Sequence, residues 1–87
     1  MIAGQRLDLA NSKLAALKDN VKLKDIEVLT RRTELGKPKV CSNPTYYKYI
    51  NGNGTNEDLA DSIVRELSKV MKARGVDVDS LLKELNS

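Results

Sequence analysis

Ser42-Asn43-Pro44-Thr45-Tyr46-Tyr47-Lys48-Tyr49-Ile50-Asn51-Gly52 is the stretch on which the fold turns, because it carries a helix start and a helix stop within eleven residues. Ser42 or Asn43 can accept a hydrogen bond from the first-turn N–H groups, and Pro44 suits the first helical position, where no N–H is needed. Asn51-Gly52 tolerates the left-handed backbone that ends a helix. Between them, Tyr46, Tyr49 and Ile50 share one face and Thr45, Tyr47 and Lys48 the other. The same residues admit a second reading. Lys39-Val40-Cys41-Ser42 and Thr45 to Ile50 are good strand formers separated by the turn dipeptide Asn43-Pro44, which predicts a β-hairpin at about 38–50 and an α+β fold.

Outside this stretch the periodicity is helical. Leu7, Ala10, Leu14 and Leu17 repeat at helical spacing from about Ala3 to Asp19, and Asn20 can close that segment. A second helix is expected from Leu23 to about Leu35, with Leu23, Ile26 and Leu29 inward and Lys24, Asp25 and Glu27 outward. Gly36 and Pro38 stop it, and residues 37–41 read as extended or loop. After the turn Gly52-Asn53-Gly54, Thr55 or Asn56 caps a long helix whose stripe is Leu59, Ile63, Leu67 and Val70, widened by Val64 and Met71 and ended by Gly75. Asp77 caps a last helix over 77–86, with Val76 against Leu81 as a hydrophobic staple. Leu81, Leu82 and Leu85 either fold back on their own domain or bury themselves in a dimer. The expected architecture is therefore one small all-α domain of four to five helices.

Composition narrows the chemistry. The 87 residues hold no Phe and no Trp, so the core must be aliphatic with the three tyrosines, of which Tyr46 and Tyr49 are expected inside. No His is present and Cys41 is the one cysteine, which argues against acid–base catalysis through imidazole, Cys-His chemistry and an ordinary zinc site. The reading is a non-enzyme with no cofactor and no metal. The start Met1-Ile2-Ala3-Gly4 lacks the basic and apolar regions of a signal peptide, and no apolar run reaches the roughly 20 residues that span a bilayer. A reducing cytoplasm is the expected compartment.

Charge is distributed unevenly. Residues 1–50 carry ten Lys or Arg against five Asp or Glu, whereas residues 51–87 carry five against seven. Between Arg31 and Lys48 stand five bases (Arg31, Arg32, Lys37, Lys39 and Lys48) and one acid, Glu34. Such an asymmetry points the basic part toward a polyanion, or else keeps a solvated face charged for solubility.

Lys22-Leu23-Lys24-Asp25-Ile26, followed by Cys41-Ser42-Asn43-Pro44-Thr45-Tyr46-Tyr47-Lys48-Tyr49-Ile50-Asn51-Gly52-Asn53-Gly54, resembles the DNA-binding headpiece of lactose-repressor-type regulators. In that family an xIKDV opening begins the first motif helix and VSxxTVSRVLNxxG forms the recognition helix. Phage-repressor helix-turn-helix domains share the logic. The likeness covers residues 22–71. It departs between Thr30 and Cys41, where ten residues replace a single turn residue, and after Gly75, where the family's hinge and effector domain are absent.

What the resemblance implies is a recognition helix from which Asn43, Pro44 and Lys48 face base edges and Asn51 faces backbone phosphate. Asn43 would pair with adenine and Lys48 with guanine or phosphate, while Ser42, Thr45 and Tyr47 would position the helix. With Arg31, Arg32, Lys37 and Lys39 supplying phosphate affinity, the expected function is a small sequence-specific regulator of phage or plasmid type. It would occupy double-stranded DNA as a homodimer. The other expectation is a non-catalytic protein-interaction module that uses the leucine-rich C-terminal helices.

Overall fold

The computed structural model describes residues 3–85, except for the side chains of residues 3–5 and Glu84. It consists of five α-helices with no strand among the described residues: α1 (Ala3–Leu17), α2 (Leu23–Thr30), α3 (Asn43–Ile50), α4 (Glu57–Ala73) and α5 (Val78–Leu82). A 3₁₀ turn, Lys18–Asn20, extends α1, and another, Lys83–Leu85, extends α5. The expected all-α class holds, and the hairpin at 38–50 does not form. Residues 43–50 are helical because the side-chain and backbone signals at both ends favour a helix. Ser42 Oγ accepts from Thr45 N at 3.4 Å, and Pro44 sits in the first turn, one place later than expected, where its missing N–H leaves nothing unpaired. At the far end Asn53 N donates to Lys48 O and Gly52 N to Tyr49 O, each at 3.0 Å, and Gly52 has φ +86°. This is the paired closure of a helix by a left-handed glycine.

α1 and α4 form the main layer, with α2, α3 and α5 packed against them. Ala10, Leu14 and Leu17 from α1 meet Ala60, Ile63, Leu67 and Met71 from α4, while Leu29, Cys41, Tyr46, Tyr49, Ile50, Val78 and Leu82 complete a single core. α4 follows its sequence closely. Asn56 Oδ1 accepts from Leu59 N at 3.0 Å, Glu57 and Asp58 sit in the first turn, and the helix closes through Val76 N to Met71 O at 3.0 Å. α5 is capped by Asp77, whose Oδ1 accepts from Ser80 N at 3.1 Å, and Val76 and Leu81 both pack on the core as a staple requires. Leu81, Leu82 and Leu85 lie against their own chain. The expected helix end at Asn86 lies outside the described residues.

Two expectations for α2 fail. The helix ends at Thr30, not Leu35, because the chain then turns back on itself: Lys39 N donates to Arg31 O, Thr33 N to Lys37 O and Gly36 N to Thr33 O, at 2.8–2.9 Å. Arg32 and Pro38 form an isolated antiparallel bridge, and Val40 N bonds Leu29 O at 2.9 Å, tying the returning arm to the end of α2. Residues 31–39 are thus a short hairpin-like arm whose tip uses Gly36 at φ +76°. Burial is the second failure. Asp25 is 1% exposed and Leu23 is 67% exposed, the reverse of the expected orientation.

The burial of Asp25 has a specific cause. Its carboxylate accepts from Arg74 Nε at 3.1 Å and Nη2 at 2.8 Å, and from Lys22 N at 2.9 Å, while Arg74 Nη2 also donates to Asn20 O at 2.7 Å. Arg74, at the end of α4, therefore clamps the start of α2. Burial, the largest single influence, pushes the Asp25 carboxyl up. The bonds from Arg74 and Lys22 and their positive charges outweigh it, so the value falls below the ordinary carboxylate range.

Candidate nucleic-acid interface

α3 presents a continuous outer face. Asn43, Tyr47 and Asn51 recur at intervals of four, as do Pro44 and Lys48, and all five are exposed. The inner face is held by Tyr46, Tyr49 and Ile50, all buried. Tyr49 is fixed twice: its hydroxyl accepts from Asn56 N at 2.9 Å, and its ring lies against Gly54, where any Cβ would overlap it. Tyr46 packs edge-on to Tyr47, with ring centroids 5.3 Å apart, and burial, aided by Tyr47, Asp25 and Cys41, pushes its hydroxyl up to about 12. Burial likewise raises the Cys41 thiol.

Of the residues expected to contact DNA, Asn43, Tyr47, Lys48 and Asn51 lie together on this face. Ser42, exposed, and Thr45, half-buried, lie at the start of the helix, where Ser42 Oγ caps it and also donates to Thr45 Oγ1 at 2.9 Å. Arg31, Arg32, Lys37 and Lys39 are all exposed on the hairpin arm, which enters α3 through Val40 and Cys41. Arg32 is turned inward on the arm, donating to Gly36 O across it.

Lys18 belongs to the same surface and was missed by sequence reasoning. Its Nζ donates to Asn51 Oδ1 at 2.7 Å, which places a cation at the C-terminal end of α3, where carbonyl dipoles favour one. The two residues are 33 apart in sequence, and no local signal joins them. Lys18, Val21, Ile26, Tyr46, Tyr47, Ile50 and Asn51 line a shallow, largely apolar groove of about 280 Å³ beside the outer face.

Ion pairing divides the charges in a telling way. Arg6 bonds Glu57, Asp58 and Asp61; Arg65 and Lys69 reach Glu66; Lys72 reaches Asp79; Arg74 holds Asp25. Among the described residues, Lys18, Lys22, Lys24, Arg31, Arg32, Lys37, Lys39 and Lys48 are exposed and none makes an ion pair. Of these, Lys22 and Lys24 stand at the start of α2 and the rest run along the hairpin arm, α3 and the end of α1. Lys83, after α5, is likewise exposed without an ion pair among the described residues. Eight helical residues at about 1.5 Å each make α3 roughly 12 Å long, comparable with the width of a DNA major groove. Among the described residues, no group of three or more His, Cys, Asp or Glu side chains is placed to hold a metal ion. No protein-family model, curated protein or solved structure matches the chain.

Proposed function

We propose that the protein binds double-stranded DNA and regulates by occupying its site, with α3 as the recognition helix. The observation that carries this reading is the row of exposed bases without ion pairs that follows the hairpin arm and α3 to Lys18, interrupted by Glu34 at the arm's tip and Asp19 beside Lys18. Phosphates would be held by Arg31, Lys37, Lys39, Lys48 and Lys18. Asn43 and Lys48 have the donor and acceptor chemistry to read base edges, and Tyr47 offers a hydroxyl and a ring. The resemblance of residues 22–71 to helix-turn-helix headpieces points the same way, and the proposal carries with it a site of action on cytoplasmic DNA.

Binding as a homodimer to a two-fold related site is part of the proposal. Leu81, Leu82 and Leu85 are occupied within their own subunit, so the contact between copies would use another surface. The same packing leaves little of the C-terminal leucine cluster to support a protein-docking role.

The test is a gel-shift titration against a random-sequence duplex pool and the fragments it enriches, across a range of salt. Neutralising five or six phosphates predicts that log affinity falls with log salt at a slope of about −5. Arg31→Glu combined with Lys48→Glu should abolish retention while leaving the circular dichroism spectrum and melting curve intact. Affinity insensitive to salt, or unaffected by that charge reversal, would remove the proposal.

A further inference from the structure

The hairpin arm carries a feature that phosphate binding alone does not explain. Leu35, at its tip, is 85% exposed, more than Leu23 or Tyr47, the other exposed large apolar residues. The tip is ordered by backbone bonds from Gly36 N to Thr33 O and from Thr33 N to Lys37 O, and by the Arg32 bond to Gly36 O. An apolar side chain is therefore held out on a pinned turn.

Register decides what surrounds it. Arg31 pairs with Lys39, Arg32 with Pro38, and Thr33 with Lys37. Residues directly opposite one another, and their neighbours two places along, share a face of the ribbon, so Arg31, Lys37 and Lys39 lie on one side. Arg32 and Pro38 lie on the other, toward the core-packed Val40. The arm thus has a cationic outer side and an apolar end. Each limb of three residues spans about 10 Å, enough to cross one phosphate backbone from a helix seated in the adjacent groove.

Resting on the DNA-binding reading above, we infer that the arm enters the minor groove next to α3, with Leu35 wedged at a base step and Arg31, Lys37 and Lys39 on the flanking phosphates. Charge selects this occupant. A partner covering Leu35 must also meet three cations with Glu34 as the tip's one anion, and the same partner meets the unpaired bases of α3. Apolar wedges that partially unstack a step bend the duplex away from the protein-filled minor groove, by roughly 20–90°. Flexible pyrimidine–purine steps yield most easily, so the arm would add a preference for TA or CA steps beside the half-site read by α3.

The experiment measures end-to-end energy transfer in a short duplex labelled at both ends, its sequence taken from the fragment enriched by selection, with the intact protein and with Leu35→Ala and Leu35→Ser. Leu35 is at an exposed tip, so neither substitution disturbs the core. The expected result is a bend with the unaltered protein, and a straight duplex with both variants at an unchanged salt slope. Binding without a bend, or an equal bend with the variants, overturns the wedge while leaving DNA binding in place. An absence of binding at every salt concentration removes both. If Leu35→Ala instead dissociates a dimer of the free protein, the tip is a contact between copies and the wedge is overturned.

Discussion

The α1–α4 layer and the segment from Arg31 to Asn51 handle charge in opposite ways. In the layer, bases and acids meet: Arg6 gathers three carboxylates from the start of α4, and Arg74 holds a carboxylate that is almost completely buried. In the central segment five bases face solvent with Glu34 as the one acid, and none of them makes an ion pair. Surface pairs contribute little stability, and exposed unpaired charges contribute less, so the central bases are not what holds the fold. They repel one another at no structural benefit. Such an arrangement makes physical sense when the counter-charge arrives on another molecule. Substitutions should therefore separate cleanly, with folding failing on one side of this divide and binding on the other.

The largest effect belongs to Asp25. Asp25→Ala removes a buried carboxylate that receives three hydrogen bonds and leaves Lys22 N–H without its acceptor. Breaking a buried pair costs 3–5 kcal/mol, and since Arg74 is 31% exposed and can turn to water, the low end of about 3 kcal/mol is expected. For a domain of this size that lowers the melting temperature by roughly 15–20 °C. Acid titration adds a second readout. The folded Asp25 carboxyl lies below its unfolded value, so its contribution is fully present above the ordinary range near 3.9 and is lost as pH falls through the folded value. Arg74→Ala should weaken that limb, because burial is then opposed only by the Lys22 N–H bond and the Lys22 charge. If both variants melt like the unaltered protein at neutral pH, the clamp is not structural.

Asp25 also shows where sequence reading stops. α4 was legible because its stripe, its Asn56 cap and its Gly75 stop are all local, whereas for α3 the signals at Ser42, Pro44 and Gly52 left a hairpin open beside the helix that forms. Asp25 looked solvent-facing because its partner lies 49 residues away. The end of α2 was misplaced for a related reason. Arg31-Arg32-Thr33-Glu34-Leu35 has no helix breaker, and what ends the helix is a backbone bond from Val40, on the far side of the arm, to Leu29. Gly36 was read as a helix stop and is instead the left-handed residue of the arm's tip. In the candidate interface the α3 face was readable from four-residue spacing, whereas Lys18 was invisible until the fold brought it to Asn51.

The seam between the two regions should show an intermediate effect. Gly54 lies under the Tyr49 ring, whose hydroxyl caps the start of α4, so a methyl there must push the ring off Asn56 N. Overpacking of this kind costs about 2 kcal/mol for Gly54→Ala. Gly52→Ala offers a control with a different cause. Nothing lies within 4 Å of a Cβ at Gly52, and its penalty comes from φ +86° alone, about 1 kcal/mol. Urea titration of both variants checks the ranking. Equal costs would mean that the ring yields freely and that the seam is not rigid.

The smallest change in stability is expected where the change in binding is clearest. Lys48 is exposed on α3 and makes no ion pair among the described residues, so Lys48→Ala should alter stability by no more than about 0.5 kcal/mol. Ala is the better helix former, so even the sign is free to be favourable. On DNA the same variant should lower affinity and reduce the slope of log affinity against log salt by about 1, the signature of one phosphate contact. A uniform loss across sequences would assign Lys48 to the backbone, and a loss confined to one base position would assign it to recognition. A melting shift as large as that of Asp25→Ala, with binding per folded molecule unchanged, would erase the distinction between the two regions and place Lys48 in the scaffold.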